Sequence, residues 1–272
     1  MLHNLDSDSS KIIEAVRATG VVVTEAMRFY VDYIVSGMKA IGTWQLSNAV
    51  YGFVGGTAAS HKFNWKNPID TDGAFRLTFL NSWTHDSQGA KPNNVNATTG
   101  SVANTFLVPT GYEDNISLVY TTNENIISGW SIMVDINAGE LSPLQIAIDM
   151  SAYRADFGSG LYVSGNYAIN PSVIQTIPTN NSKGVYVVTR NSLSIQKSFK
   201  NGIIANSNNT TISSFSITRP FYLAGALVSG SSFASCSPRR HQCTIIANSF
   251  TDTQAQLQSQ LITNAQLILN RA

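Results

Sequence analysis

The sequence predicts a mainly β protein, an antiparallel jelly-roll sandwich of the concanavalin or laminin-G kind, with helices at both chain ends. Two observations carry the mainly β, antiparallel part of that prediction. Between residues 43 and 250 the apolar side chains recur with period two in many short runs, and no helical pattern is interleaved among them. The composition agrees: only 12% of the 272 residues are charged, where about 25% is usual. Ser, Thr and Asn fill the gap with roughly 29% of the chain, which suits sheets joined by turn-rich loops. A chain of this length can bury one large core. The expected organisation is one compact domain: a helical segment 1–42 packed on the sandwich, the β-sandwich 43–250, and a C-terminal helix 251–272.

In the first segment Ser9 or Ser10 is expected to cap a short helix with Ile12, Ile13 and Val16 on one face, ended by Gly20. Thr24 then caps a longer helix whose Tyr30, Tyr33, Ile34, Met38 and Ile41 recur at helical spacing and read as a core-facing stripe. Strands follow at Phe75–Phe79, Ile116–Tyr120, Trp130–Ile136 and Leu144–Met150, each expected to turn one face to a core and the other to solvent or lighter packing. Shorter candidates are Leu161–Val163, Val185–Thr189, Leu193–Phe199, Phe221–Leu227 and Cys243–Ala247. Asn201-Gly202 fits a type I′ turn, because both central positions need positive φ. With a turn at Arg190-Asn191-Ser192, it makes residues 185–205 a three-strand meander. Thr251 and Gln254 form a capping box for the last helix. Its expected stripe is Leu257, Leu261, Ala265 and Ile268, with Arg271 complementing the dipole in the final turn.

The formal charge of +1 gives no footprint for nucleic acid or an anionic membrane surface. No run of 18 apolar residues exists, so no membrane insertion is expected. Cys236 and Cys243 are expected as free thiols, and no metal or other cofactor is expected, because no pair of histidines has ligand spacing. Neither a nucleophile elbow nor a phosphate-cradling loop is present. Asp70 and Asp72, an acid pair two residues apart, flank a turn, while Asp135 and Asp149 read as solvent-facing. No enzyme activity is expected. Trp83 and His85 fall in a polar loop reaching Asn96. There Trp83 either stacks on a sugar ring, with His85 and Asn93 supplying hydrogen bonds, or tucks under the loop as an anchor.

Two stretches, residues 39–90 and 185–255, resemble a known family. The most specific part is Lys39-Ala40-Ile41-Gly42-Thr43-Trp44 followed by Tyr51-Gly52-Phe53-Val54-Gly55-Gly56-Thr57-Ala58-Ala59-Ser60-His61-Lys62-Phe63-Asn64. Ala74 to Phe79, Trp83-Thr84-His85, Gly89-Ala90, Gln242-Cys243 and Phe250 to Thr253 continue it. These look like phage structural proteins with a laminin-G or concanavalin-like jelly-roll, frequent in phages of gut Bacteroidota including the crAss-like group. Gly52 stands where that family usually has Pro, and Asn248-Ser249 replaces a Gly-rich turn.

The resemblance implies a virion component, either decorating the capsid or belonging to the neck, tail or fibre. Its partners would be other virion proteins and copies of itself. Location in the virion is expected, after synthesis in the host cytoplasm without a signal peptide. The competing expectation is a carbohydrate-binding module that recognises a host surface glycan through Trp83, His85 and Asn93. A polysaccharide-cleaving enzyme on the same fold is a third class.

Overall fold

The computed structural model describes residues 5–95, 100–105, 115–126, 134–140, 146–154, 160–165, 173–177, 181–192, 195–209, 220–229, 232–234 and 236–271. Helix α1 (Ser7–Ala18) is capped by Asp6, whose carboxylate accepts from Asp8 N–H, so it starts ahead of the expected Ser9 or Ser10. Its face of Ile12, Ile13 and Val16 is buried. Helix α2 (Glu25–Ile41) is capped by the Thr24 hydroxyl and closed by Gly42 at φ 82°, where a left-handed residue satisfies the last carbonyls. Lys39 of α2 reaches Asp6 at 2.6 Å and Asp8 at 2.8 Å, tying the start of α1 to the end of α2.

Two short helices, α3 (Thr43–Leu46) and α4 (Ala58–His61), lie within the region expected to hold strands only. The six-stranded sheet runs β1 (Ser47–Tyr51), β17 (Cys243–Ala247), β6 (Ile116–Thr122), β11 (Gly184–Ser192), β12 (Ile195–Lys200) and β13 (Ile203–Asn208). The seven-stranded sheet runs β10 (Val173–Ile177), β9 (Gly160–Gly165), β8 (Ile146–Arg154), β7 (Ile136–Glu140), β14 (Phe221–Leu223), β5 (Val102–Asn104) and β2 (Thr78–Leu80). Neighbours in both sheets pair antiparallel. Two ribbons stand apart, β3 (Trp83–Asp86) with β4 (Gly89–Pro92), and β15 (Ala226–Ser229) with β16 (Ser232–Ala234).

The six-stranded sheet is the middle of three layers. Because side chains alternate along a strand, Leu118 and Tyr120 of β6, Tyr186 and Val188 of β11 and Ile246 of β17 meet Ile136, Ala138, Phe221 and Leu223 of the other sheet. Their neighbours Val119, Val185, Val187 and Ile245 point the opposite way, onto Tyr30, Ile34 and Met38 of α2 and Ile262 of α5 (Asp252–Ile268). So β6 is buried at every position, where one lightly packed face was expected. The helices that the sequence places at the chain ends supply the covering layer.

Several local expectations shift for identifiable reasons. Phe75 sits at φ 55° after a 3-10 turn (Asp72–Ala74), which confines the strand to Thr78–Leu80. Strand β11 runs through the expected turn at 190–192, with Arg190 opposite Gln196 and Ser192 opposite Ile195 around a bulge. The Phe221–Leu227 run breaks at Ala224, φ 65°, into β14 and β15. Asn201 and Gly202 have φ of 51° and 78°, as the I′ turn requires, and Lys200 faces Ile203 across it. Most of the Trp130–Ile136 run, the Leu144-Gln145 start of its neighbour, and the 193–194 link lie outside the described residues.

Helix α5 has the expected capping box but buries a rotated face: Ala255, Gln258, Ser259, Leu261, Ile262, Ala265 and Gln266. Leu257 is 41% exposed. The rotation follows from close helix contact at Gly37 of α2, where an added Cβ would lie 2.3 Å from Leu261. The helix closes at Leu269, and Arg271 lies beyond it, fully buried.

Candidate functional site

Residues 83–93, expected as a polar loop, form the β3–β4 hairpin. Trp83 pairs with Pro92, His85 with Ala90 and Asp86 with Gly89. Trp83 and His85 are two apart on one strand, so both side chains face the same way, inward. The Trp83 indole donates to Leu80 O at 3.0 Å and packs against Phe79 and His85. That is the anchoring role of the two weighed for it. Asn93 is exposed and lies with the outward residues, donating to Ser82 Oγ at 3.2 Å and accepting from Thr84 Oγ1 at 3.0 Å. The structure therefore brings Trp83 and His85 together and leaves Asn93 apart.

Under the hairpin the other histidines gather. His61 and His85 meet through their Nδ1 atoms at 3.0 Å, and Gly56 N–H donates to His61 Nε2 at 3.1 Å. His241 is fully buried, with Nδ1 3.2 Å from Thr244 Oγ1. Burial lowers all three: His61 well below its ordinary value, helped by the His85 charge, His85 despite the pull of Asp86, and His241 to about 4 despite Asp135. Among the described residues no group of three His, Cys, Asp or Glu could hold a metal ion. The two thiols are unbridged and buried, and that burial raises Cys236 to about 11 and Cys243 to about 12, so neither is a nucleophile near neutrality.

The acid candidates are bound to cations. Asp70 pairs with Lys62 and Arg76, and Asp72 with Arg76 at 3.0 Å. Asp135, expected at the surface, is instead buried against Arg239 at 2.9 Å and Ser237 Oγ at 2.6 Å. The side chain of Asp149 lies outside the described residues.

The residues that resemble the phage family fold inward too. Asn64 accepts from Val50 N–H and donates to Asn48 O and Ala74 O, pinning β1 to the following loop. A Cβ on Gly52 would lie 2.0 Å from the Trp65 ring, which explains why no larger residue stands there. These contacts build the scaffold around β1.

A pocket of about 230 Å³ opens where the end of β6, the start of β11, the Asn201 turn and the last turns of α5 meet. Thr121, Asn123, Lys183, Asn201, Gln266 and Arg271 are among its lining residues. Two of them carry buried oxygens without a hydrogen-bond partner, Thr121 Oγ1 and Gln266 Oε1. Gln266 is held by its Nε2 donating to Tyr30 Oη at 3.2 Å, and Tyr30 in turn donates to Gly52 O. Arg271 donates to Ser87 O, Gly52 O and Phe53 O at 2.7, 3.3 and 2.8 Å. The pocket floor is thus fixed by the same network that holds the α5 terminus. Sequence reading does not bring these residues together because they come from separate elements; only Asn201 and Arg271 stand out along the chain, each for another role.

No protein-family model matches the chain, and no curated protein sequence does. Solved structures do match. The binding domain of botulinum neurotoxin DC, in complex with rat synaptotagmin II, aligns with a TM-score of 0.52 at 10% identity, covering 80% of this chain and 52% of that one. This chain therefore spans about half the length of that domain. Domain 4 of AbnA, a GH43 extracellular arabinanase from Geobacillus stearothermophilus in complex with arabinotriose, aligns with a TM-score of 0.47 at 13% identity over 78% of this chain and 98% of that one. The CBM40 of a Ruminococcus gnavus IT-sialidase bound to α2,3-sialyllactose gives 0.41 at 12% identity over 53% and 81%. Identities this low speak to fold alone. The chain is a mainly β, antiparallel, jelly-roll-like sandwich with a helical layer that includes a C-terminal helix.

Proposed function

We propose that this protein is a non-catalytic carbohydrate-binding sandwich, whose ligand sits in the pocket between β6, β11 and α5. The observation that carries this reading is that amide and hydroxyl side chains from separate elements, Asn123, Asn201 and Thr263 among them, line one pocket. A sugar offers hydroxyls that both donate and accept, the complement such groups need. The volume is near the lower edge of small-molecule sites, which run from about 300 Å³ upward, a size that suits a single ring better than a long chain. The acids at 70 and 72 are engaged by Lys62 and Arg76, so the reading is of binding without cleavage.

The test is retention on a glycan array, followed by calorimetry of the parent and of Asn123→Ala. Asn123 lines the pocket and its amide donates to Gln88 Oε1 at 3.2 Å, so truncation should cost about 1 kcal/mol or less, while glycan affinity falls. A parent that retains no glycan, or an Asn123→Ala variant that binds as well as the parent, would overturn the proposal.

A second reading, a structural component of a bacteriophage virion, rests on the resemblance of residues 39–90 and 185–255. It is compatible with glycan binding at a particle surface. Quantitative mass spectrometry of purified particles decides it. Hundreds of copies point to capsid decoration and a few to several dozen to neck, tail or fibre, whereas absence from the particle removes the reading.

A further inference from the structure

Resting on the carbohydrate reading, we infer that the pocket selects an acidic sugar, one bearing a carboxylate, over its neutral parent. The argument is electrostatic and concerns charges that line the pocket or lie just behind it. Lys183 and Arg271 both belong to the lining, and no Asp or Glu does. Behind the lining, the Lys200 ammonium donates to the main-chain oxygen of Asn181, another lining residue. The nearest acids are spent elsewhere: Glu124 on Lys91 at 2.6 Å and on Arg240 N–H at 2.8 Å, and Asp86 on Arg240 at 2.6 Å.

Arg271 sharpens the point. Its three side-chain donors all meet main-chain carbonyls, neutral acceptors that leave its charge balanced only at a distance, by Asp86. Among the described residues no carboxylate lies within ion-pair distance of it or of Lys183. Lys183 is exposed, so it supplies attraction without structural duty. A ligand carboxylate in the pocket would gain from both charges, while the ring hydroxyls meet Asn123, Asn201 and Thr263.

The experiment titrates methyl glucuronide, methyl glucoside and acetate into the intact protein by calorimetry or NMR, at low and high salt. The glucuronide is expected to bind about tenfold tighter than the glucoside. That gap should shrink with salt and in Lys183→Gln. Equal affinity for the two glycosides would overturn the acidic-sugar inference and leave the carbohydrate reading standing. Binding of neither glycoside would overturn both. Acetate binding as tightly as the glucuronide would show a simple anion site and overturn the sugar selectivity.

Discussion

His61 and His85 share one proton between their Nδ1 atoms, and the direction of sharing is fixed. Because Gly56 N–H donates to His61 Nε2, neutral His61 carries its hydrogen on Nδ1 and donates it to His85, 3.0 Å away. His85 therefore holds its own proton on Nε2. Protonating His85 on Nδ1 would set two N–H groups against each other. The pair, with His241 beside it, is a core that is stable only while neutral.

Acid should loosen the fold through these residues. All three are lowered from 6.5 in the folded protein, His241 to about 4, so below 6.5 the unfolded chain binds more protons than the folded one. Their contribution is complete above about pH 6.5 and is lost as pH falls towards 4. Urea midpoints measured across that window should drop by an amount equivalent to a few kcal/mol. A flat profile between pH 7 and 5 would contradict the neutral-core assignment.

Trp83→Ala separates the anchoring role from sugar stacking. The indole bonds Leu80 O and packs on Phe79, so truncation should cost about 2–3 kcal/mol, somewhat below the range for fully buried aromatics. Thermal denaturation reads this as a fall of several degrees. Glycan affinity, measured well below the melting transition, should be unchanged. The same holds for Asn93→Ala, which should leave stability unaltered as well.

Arg271→Lys tests whether the terminal arginine acts as a helix-end cation. A dipole role is worth about 0.3–1 kcal/mol and would survive the exchange. The observed fork to Ser87 O, Gly52 O and Phe53 O cannot be reproduced by an ammonium. A loss of about 2 kcal/mol or more in denaturant unfolding is expected.

The Asp135–Arg239 pair is fully buried, so removing one partner strands the other. Asp135→Leu and Arg239→Met alone should each cost about 3–5 kcal/mol, and the double variant should recover most of it. A double-mutant cycle with additive losses would show that the two side chains do not depend on each other.

Much of the architecture was readable from the chain. The I′ turn at Asn201-Gly202, the cap at Thr24, the capping box at Thr251 and strand Cys243–Ala247 follow from local rules: positive φ, side-chain acceptors for orphaned N–H groups, period two. These forces act within a few residues, and the sequence displays them directly. What the sequence hid were partnerships across long separations. Asp135 looked like a surface acid until Arg239 appeared beside it, and the polar stretch around Trp83 was a hairpin laid over three histidines.

The sequence by itself thus determined the β-sandwich class and its helical ends, because alternation and capping are written in neighbouring residues. Only the tertiary structure decided which faces are buried, since β6 loses its second face to helices that end 75 residues before it and begin 130 residues after it. It also decided where a ligand could sit. The pocket exists because Thr121, Lys183, Gln266 and Arg271 converge from separate elements, and convergence of that kind has no signature along the chain.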